Sequence, residues 1–538
     1  MALAVFVRLK FADIPRERDE GEYAYAGQLI LHGVPPYTLA YNMKFPGTYY
    51  AYAALMSVFG QSALGIRLGL LVMNAACIAM VGALGRRIGG TLVGGVAAAA
   101  FAVLSIDRWA MGPFAHATHF ILVASLAGWL LLDRGLRLRS GQGLRLRSSQ
   151  GLSLFAAGAL MGVAITMKQQ AAPLAVMAIV LAFWNGRDVN ENATNAAPAI
   201  PAWRRAALVT AGIGATLLVM VLVLAMSGVL GRFWFWTFQY AAAYVSEVPL
   251  SMATAVLRMA WFQITHATGW FWYAAILGVA LLVLTRWPAS TRRSVLAWLI
   301  GSAAAVVPGF FFRPHYFILL MPVAAILVGI AIASIDRVLA RSVGAVGARV
   351  IALLTVAGLG LSYLQRDSDY LFRMGETELI RSLYAENPFL EAPEIGRYLA
   401  AHTKAGDRIA VLGSEPQIYF YANRPSATGY IYTYPLMEPQ PYARRMAAEL
   451  RQEVEDAKPA YVVLSGVRAS WGVRPGSDTS IITWASEYTA RCYDLAGITD
   501  VNPRGPAQIL WDAAAVGRRP QTESPVMIYR RKPGACGG

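Results

Sequence analysis

The sequence predicts a multi-span α-helical integral membrane protein with a C-terminal α/β domain outside the cytoplasm. Of its 538 residues, 57% are hydrophobic and only 14% charged, whereas a soluble domain carries roughly 25% charge. Apolar runs approach the roughly 20 residues that cross a bilayer. The formal charge of +16 lies entirely in residues 1–365, because residues 366–538 hold 20 Lys and Arg against 20 Asp and Glu. Basic loops between apolar runs are a topology signal. They imply a lipid bilayer as partner and no nucleic acid. The same composition excludes disorder, coiled coil and collagen.

Spans are expected at roughly 64–84, 91–106, 114–132, 152–167, 170–184, 206–228, 270–285, 294–312, 315–333 and 347–364. Ahead of them, MALAVFVRLKFADIP is too short to cross alone and lacks a signal-peptide cleavage site. It reads as the C-terminal, outer end of a first helix whose start is missing or misassigned. Arginines set the orientation: Arg86 and Arg87, Arg134 to Arg147, Arg204 and Arg205, Arg292 and Arg293, and Arg337 to Arg349 share one side if spans alternate. That side is cytoplasmic by the positive-inside rule. Residues 13–63, the loop SIDRWAMGP, Lys168, the loop 229–269, Arg313 and everything after 365 then lie outside. The domains expected are a transmembrane domain, 1–365, whose first outer loop is 13–63, and an extracytoplasmic α/β domain, 366–538. A tandem octapeptide, GLRLRSGQ then GLRLRSSQ, falls in a cytoplasmic loop and reads as a duplication in a tolerant segment.

The tail has a different pattern. EIGRYLAAHTKAGDRIAVLG reads as amphipathic helix, turn and short strand, and PYARRMAAELRQEVEDAKPAYVVLSG repeats it. SPVMIYRR reads as a last strand, and helices alternating with buried strands give an α/β domain. Of three cysteines, Cys77 sits in an apolar run. Cys492 and Cys536 are able to pair in an oxidising compartment, but spacing does not fix connectivity.

Chemistry concentrates in RERDEGEYAYAGQLILHGVPPYTLAYNMKFPGTYYAYAALMSVFG, residues 16–60. Asp19 and Glu20 open an amphipathic helix, and Lys44 stands alone before Pro46. Asp19 has two readings. One is a helix N-cap, with Glu22 three residues on completing a capping box; the other is a functional carboxylate. In FFFRPHYFILLMP, Arg313, His315 and Tyr316 lie at the outer end of a span. They read either as headgroup-snorkelling side chains or as a cationic patch for a lipid-linked phosphate. Lys168, in GVAITMKQQ, is a further cation at the same level. His116 and His119 share a helix face by spacing, but a third metal ligand has no candidate, so no metal site is assigned and dependence on a divalent metal stays open.

The run DEGEYAYAGQLILHGVPPY…MKFPGTYYAYAALMSVFG resembles the first outer loop of GT-C-fold glycosyltransferases. Within that class it is similar to the protein O-mannosyltransferase and lipid A aminoarabinose transferase group. RPHYFILLMPVAAIL, GVAITMKQQ and, in the tail, GSEPQIYFYANRPSATGY resemble further motifs of bacterial members. The resemblance implies an inverting transferase that moves a hexose or pentose from a polyprenyl-phosphate donor to a glycan, lipid or protein acceptor. It implies a bacterial plasma membrane, with site and tail on the extracytoplasmic side, and a lipid-linked sugar as donor substrate rather than a resident cofactor. Residue by residue, it makes Asp19 the catalytic base or acceptor orienter with Glu20 beside it, and Lys44 the donor-phosphate lysine. Tyr316 becomes a donor-side tyrosine; Lys168, Arg313 and His315 are the further substrate-binding residues. Glu22 departs from the aminoarabinose motif, which has Arg there. The second outer loop lacks the acid of many relatives near Thr118, and Asp107 is the nearest carboxylate.

These residue types suit that reaction. A carboxylate takes the acceptor proton, fixed cations stabilise the departing phosphate, and a phosphate leaves without the second acid that glycosidases use. A transporter or flippase of a lipid-linked sugar also needs many spans and cations, but its site lies near the midplane on broken helices.

Overall fold

The computed structural model describes residues 1–137, 143–184, 200–534 and 536, with the side chains of 137 and 143–147 also outside the description. Part of the octapeptide repeat and most of the loop after 184 therefore lie outside the described residues. The chain divides into two compact units. The first comprises Met1–Phe11, Arg67–Val223 and Val245–Arg373; the second comprises Ala12–Ile66, Leu224–Tyr244 and Met374–Gly538.

The first unit is helical. Among the described residues, five helices are long and apolar enough to cross a membrane: Ala63–Leu104, Ala117–Leu136, Ser148–Met167, Ala202–Met226 and Met321–Arg366. Leu250–Ile264 and Gly269–Leu284, bent by 115°, make a sixth if they count as one span. The two longest helices are each two stretches, as the paired runs in the sequence require. Ala63–Leu104 breaks at Gly89 and Gly90, the latter at φ 86°, and Met321–Arg366 breaks at Gly344, φ 76°. Backbone with positive φ and ψ near 180° is open essentially to glycine alone. The stretches on either side of the first break pack closely, with Gly85 against the backbone of Gly94. Ala172–Trp184, at 13 residues, spans only about 20 Å. Leu250–Ile264, read from sequence as outer loop, is helical because its apolar residues follow a helical period. Residues Ala2–Lys10 form a helix that stops at Phe11. Its buried Arg8 donates to the carbonyl oxygens of Ser105 and Gly112, bracing the loop ahead of Ala117.

The second unit joins the first loop, within Ala12–Ile66, to the tail. Its sheet runs β1 (Ile409–Leu412), β2 (Tyr461–Ser465), β3 (Tyr493–Asp500), β4 (Gln508–Trp511) and β5 (Pro525–Arg531) in the spatial order β1-β2-β5-β3-β4. β1 and β2 are parallel, with Ile409 opposite Tyr461, and the other pairs are antiparallel. The helices Ala392–Ala401 and Ala443–Ala457 precede β1 and β2, as the helix–strand alternation predicts. β3 and β4 carry no clear strand signal, because YDLAGITD mixes polar and apolar residues without a clean period of two and β4 is only four residues long.

The first loop contributes helices Arg18–Leu31 and Gly47–Phe59. Gly27 sits where a Cβ would lie 2.9 Å from the Ala53 nitrogen, so only glycine lets the two helices meet. The loop is threaded through the tail by hydrogen bonds: Tyr25 Oη accepts from the Ser426 N–H at 2.7 Å, and the Tyr41 N–H donates to Gly429 at 2.6 Å. Tyr41, Trp236 and Tyr240 belong to one apolar core with Leu412, Tyr430, Val462 and Trp484.

Cys492 and Cys536 are joined by a disulfide, and Cys77 is free and buried. Alkylation of denatured, unreduced protein is expected to label Cys77 alone, and all three cysteines after reduction. Labelling at Cys492 without reduction contradicts the bridge.

Candidate functional site

The site in the second unit is built on the first turn of helix Arg18–Leu31. Glu17 caps this helix, its two carboxyl oxygens accepting from the N–H groups of Asp19 (2.9 Å) and Glu20 (2.7 Å). The capping-box reading of Asp19 with Glu22 is thereby corrected: the cap lies two residues earlier, and the Asp19 side chain serves elsewhere. Glutamate is not among the favoured capping residues, so sequence pointed to the aspartate.

Asp19 and Glu22, three apart, lie on one helix face and receive the same ammonium. Lys44 Nζ is 3.0 Å from Asp19 Oδ1 and 2.6 Å from Glu22 Oε2. The three side chains differ in depth. Glu22 is 1% exposed, Lys44 10% and Asp19 28%. Glu22 is fixed from its other side by the Tyr49 hydroxyl, which donates to Oε1 at 2.6 Å. The Tyr432 hydroxyl lies 3.1 Å from Asp19 Oδ1, and the Lys44 ammonium stands 4.5 Å from the Tyr23 ring centre and 5.7 Å from that of Tyr432. Burial disfavours the ammonium, but Asp19 and Glu22 outweigh it and hold the Lys44 pKa above its ordinary value. Burial pushes the Glu22 carboxyl up, with Lys44 opposing. Glu20 points to a different partner, a fully buried contact with Arg16 at 3.5 Å, so the structure brings Asp19 and Lys44 together and leaves Glu20 apart from them.

The remaining sequence candidates lie in the first unit. Lys168 follows helix Gly143–Met167, and its Nζ sits 4.5 Å from the centre of the buried Tyr316 ring. His315, also buried, meets Tyr316 edge-on at 4.8 Å and stacks on His116 at 4.3 Å with 12° between the planes. Arg313 lies over Phe311 at 5.4 Å. The structure thus unites Lys168, His315 and Tyr316, which sequence separates by almost 150 residues. Asp107 accepts from the Trp109 N–H, which closes a short turn, and from the distant Thr268 hydroxyl, both at 2.9 Å. Sequence reasoning missed Glu22 as an ion-pair partner, although its three-residue offset from Asp19 was the signal. It also missed Tyr432, about 400 residues away, for which no local signal exists.

No protein-family model matches the chain, and no curated protein matches its sequence. Its fold is similar to that of solved structures. ArnT from Cupriavidus metallidurans bound to undecaprenyl phosphate superposes with a TM-score of 0.59 at 14% identity, over 100% of this chain and 97% of that one. The Archaeoglobus fulgidus oligosaccharyltransferase tethered to an acceptor peptide gives 0.53 at 13%, over 95% and 73%. The archaeal oligosaccharyltransferase AglB from Archaeoglobus fulgidus, with an inhibitory peptide and a dolichol-phosphate, gives 0.52 at 13%, over 99% and 75%. The chain therefore has the GT-C fold that its loop motifs imply.

Burial raises the Glu17 pKa from 4.5 to about 8, with Asp19 and Glu20 adding to the shift and the two cap bonds opposing it. A carboxyl that holds its proton more tightly when folded loses stability as pH rises between those two values. The unfolding midpoint of the wild type should therefore fall relative to Glu17→Gln from about pH 4.5 to about pH 8 and run parallel above it. A constant difference across that range contradicts the assignment.

Proposed function

We propose that the protein is an inverting glycosyltransferase that moves a sugar from a polyprenyl-phosphate donor to an extracytoplasmic hydroxyl acceptor. The observation that carries this reading is the graded trio Asp19, Lys44 and Glu22 on a GT-C fold. Glu22, deepest and held by Tyr49, is the standing counter-ion of Lys44. Asp19 is the accessible member, and its carboxylate is available to an acceptor once the ammonium turns to a phosphate. The acceptor oxygen attacks the anomeric carbon and its proton passes to Asp19. The carbon–oxygen bond to phosphate breaks, and the polyprenyl phosphate leaves with the electron pair. A cation in a low-dielectric setting stabilises that departing charge more than it stabilises the bound donor. Lys168, Arg313, His315 and Tyr316 are assigned to donor recognition. Solved neighbours carrying undecaprenyl phosphate and a dolichol-phosphate favour such a lipid.

The Cys492–Cys536 bridge supports an extracytoplasmic tail, since disulfides persist in oxidising compartments. A reporter fused after residue 365 should be active only outside the cytoplasm; activity inside reverses the topology.

In proteoliposomes supplied with acceptor extract and radiolabelled undecaprenyl-phosphate mannose, glucose or arabinose, Asp19→Asn is expected to lower transfer by about 10²-fold or more. It should leave undecaprenyl phosphate binding little changed. Lys44→Ala should weaken binding and transfer together. Because Glu17 is the cap, a loss in Asp19→Asn cannot be assigned to a missing cap bond. Transfer within a few fold of wild type retires the role of Asp19, and lipid movement without transfer establishes a flippase.

A further inference from the structure

Arg18 directly precedes Asp19 and reaches into the tail. Its Nη2 lies 2.7 Å from Glu415 Oε1 and 2.8 Å from Asn387 Oδ1, and its Nε donates to the Ser414 carbonyl. The guanidinium also stands 5.4 Å from the ring centres of both Phe389 and Tyr434. Glu415 is fully buried, and its second oxygen accepts from Gln417 at 2.7 Å. This is more than a surface ion pair, because the carboxylate is desolvated and fixed from both oxygens.

Two further contacts act on the same helical turn. A Cβ on Gly21 would lie 2.5 Å from the Gln417 Cβ and 2.6 Å from its backbone nitrogen, so the turn and helix Gln417–Ala422 touch where only glycine fits. The Tyr432 hydroxyl, at 7% residue exposure, sits 3.0 Å from the Arg18 carbonyl oxygen and 3.1 Å from Asp19 Oδ1. Arg18, Gly21 and Asp19 are thus held by residues 387–434 at three separate points.

We propose that Arg18, Glu415 and Tyr432 are positioning residues that clamp the first turn of helix Arg18–Leu31 so that the Asp19 carboxylate is fixed in its reacting orientation. This rests on the transferase reading for its consequence but not for its structural content. It makes residues 387–434 part of the machinery: the tail sets the geometry of the carboxylate in addition to whatever it does for the acceptor. A misplacement of about 1 Å is enough to cost about 10²-fold in rate.

Two measurements on the full-length protein separate the layers. In hydrogen exchange of the protein in detergent, Glu415→Gln and Tyr432→Phe should speed exchange over residues 18–23 by about tenfold while β1 and β2 exchange as in wild type. Unchanged exchange over 18–23 in both variants overturns the clamp. In the transfer assay, with active sites counted by undecaprenyl phosphate binding, each variant should lower kcat about tenfold at unchanged donor KM. Each should have no further effect in an Asp19→Asn background. Equal losses with and without Asp19 mean a purely structural role and overturn the positioning claim. Silent Asp19→Asn instead sinks the transferase role of Asp19, and exchange alone then decides the clamp. If Glu415→Gln does not fold, Tyr432→Phe, which removes one oxygen and no charge, decides both measurements.

Discussion

One buried ammonium organises the segment that carries helices Arg18–Leu31 and Gly47–Phe59. Lys44 is largely removed from water, and an unpaired ammonium there would lose its proton. Two carboxylates prevent this, and they do so only because helix Arg18–Leu31 presents positions 19 and 22 on one side. The group carries a net negative charge, which must be accommodated by hydrogen bonds from Tyr49 and Tyr432. Those tyrosines need fixed places in turn. Tyr49 finds its place on helix Gly47–Phe59, packed through Gly27. Tyr432 finds its place in the tail segment that follows helix Gln417–Ala422.

In the proposed transfer, the order of depth sets the roles. Glu22 is sealed and doubly occupied, which suits a permanent counter-ion. Asp19 is near the surface, shares the ammonium and accepts from a phenol, which suits a group that changes partner during a reaction. A phosphate that draws the ammonium away does not strand it, because Glu22 stays bound. Glu20, adjacent in sequence, has the same acid but not the same surroundings: its side chain meets Arg16 in a fully buried contact. Neighbouring carboxylates on one helix thus meet different partners by direction alone.

Much of the architecture was legible beforehand. Apolar length and arginine placement outlined the helices, and the glycines at 89, 90 and 344 account for the two paired runs that the structure joins into single broken helices. Helix–strand alternation located the tail helices with β1, β2 and β5. The loop motif put Asp19 and Lys44 forward, and the structure pairs them. What sequence withheld was relational. The spacing of Asp19 and Glu22 fits a capping box and a shared ammonium equally well, and only the position of Glu17 distinguishes them. Tyr432, Glu415 and Asn387 act on the first loop from the far end of the chain, where no periodicity or spacing rule reaches.

The proposed chemistry depends on Glu22 being the standing counter-ion of Lys44. Measuring undecaprenyl phosphate affinity in Glu22→Gln tests this most directly. Gln keeps the size of the side chain and an acceptor for Tyr49, and removes one negative charge beside the ammonium. The account predicts phosphate binding several-fold tighter than in wild type, with slower transfer because Lys44 is left to Asp19 alone. Affinity equal to or weaker than wild type in a folded variant contradicts it.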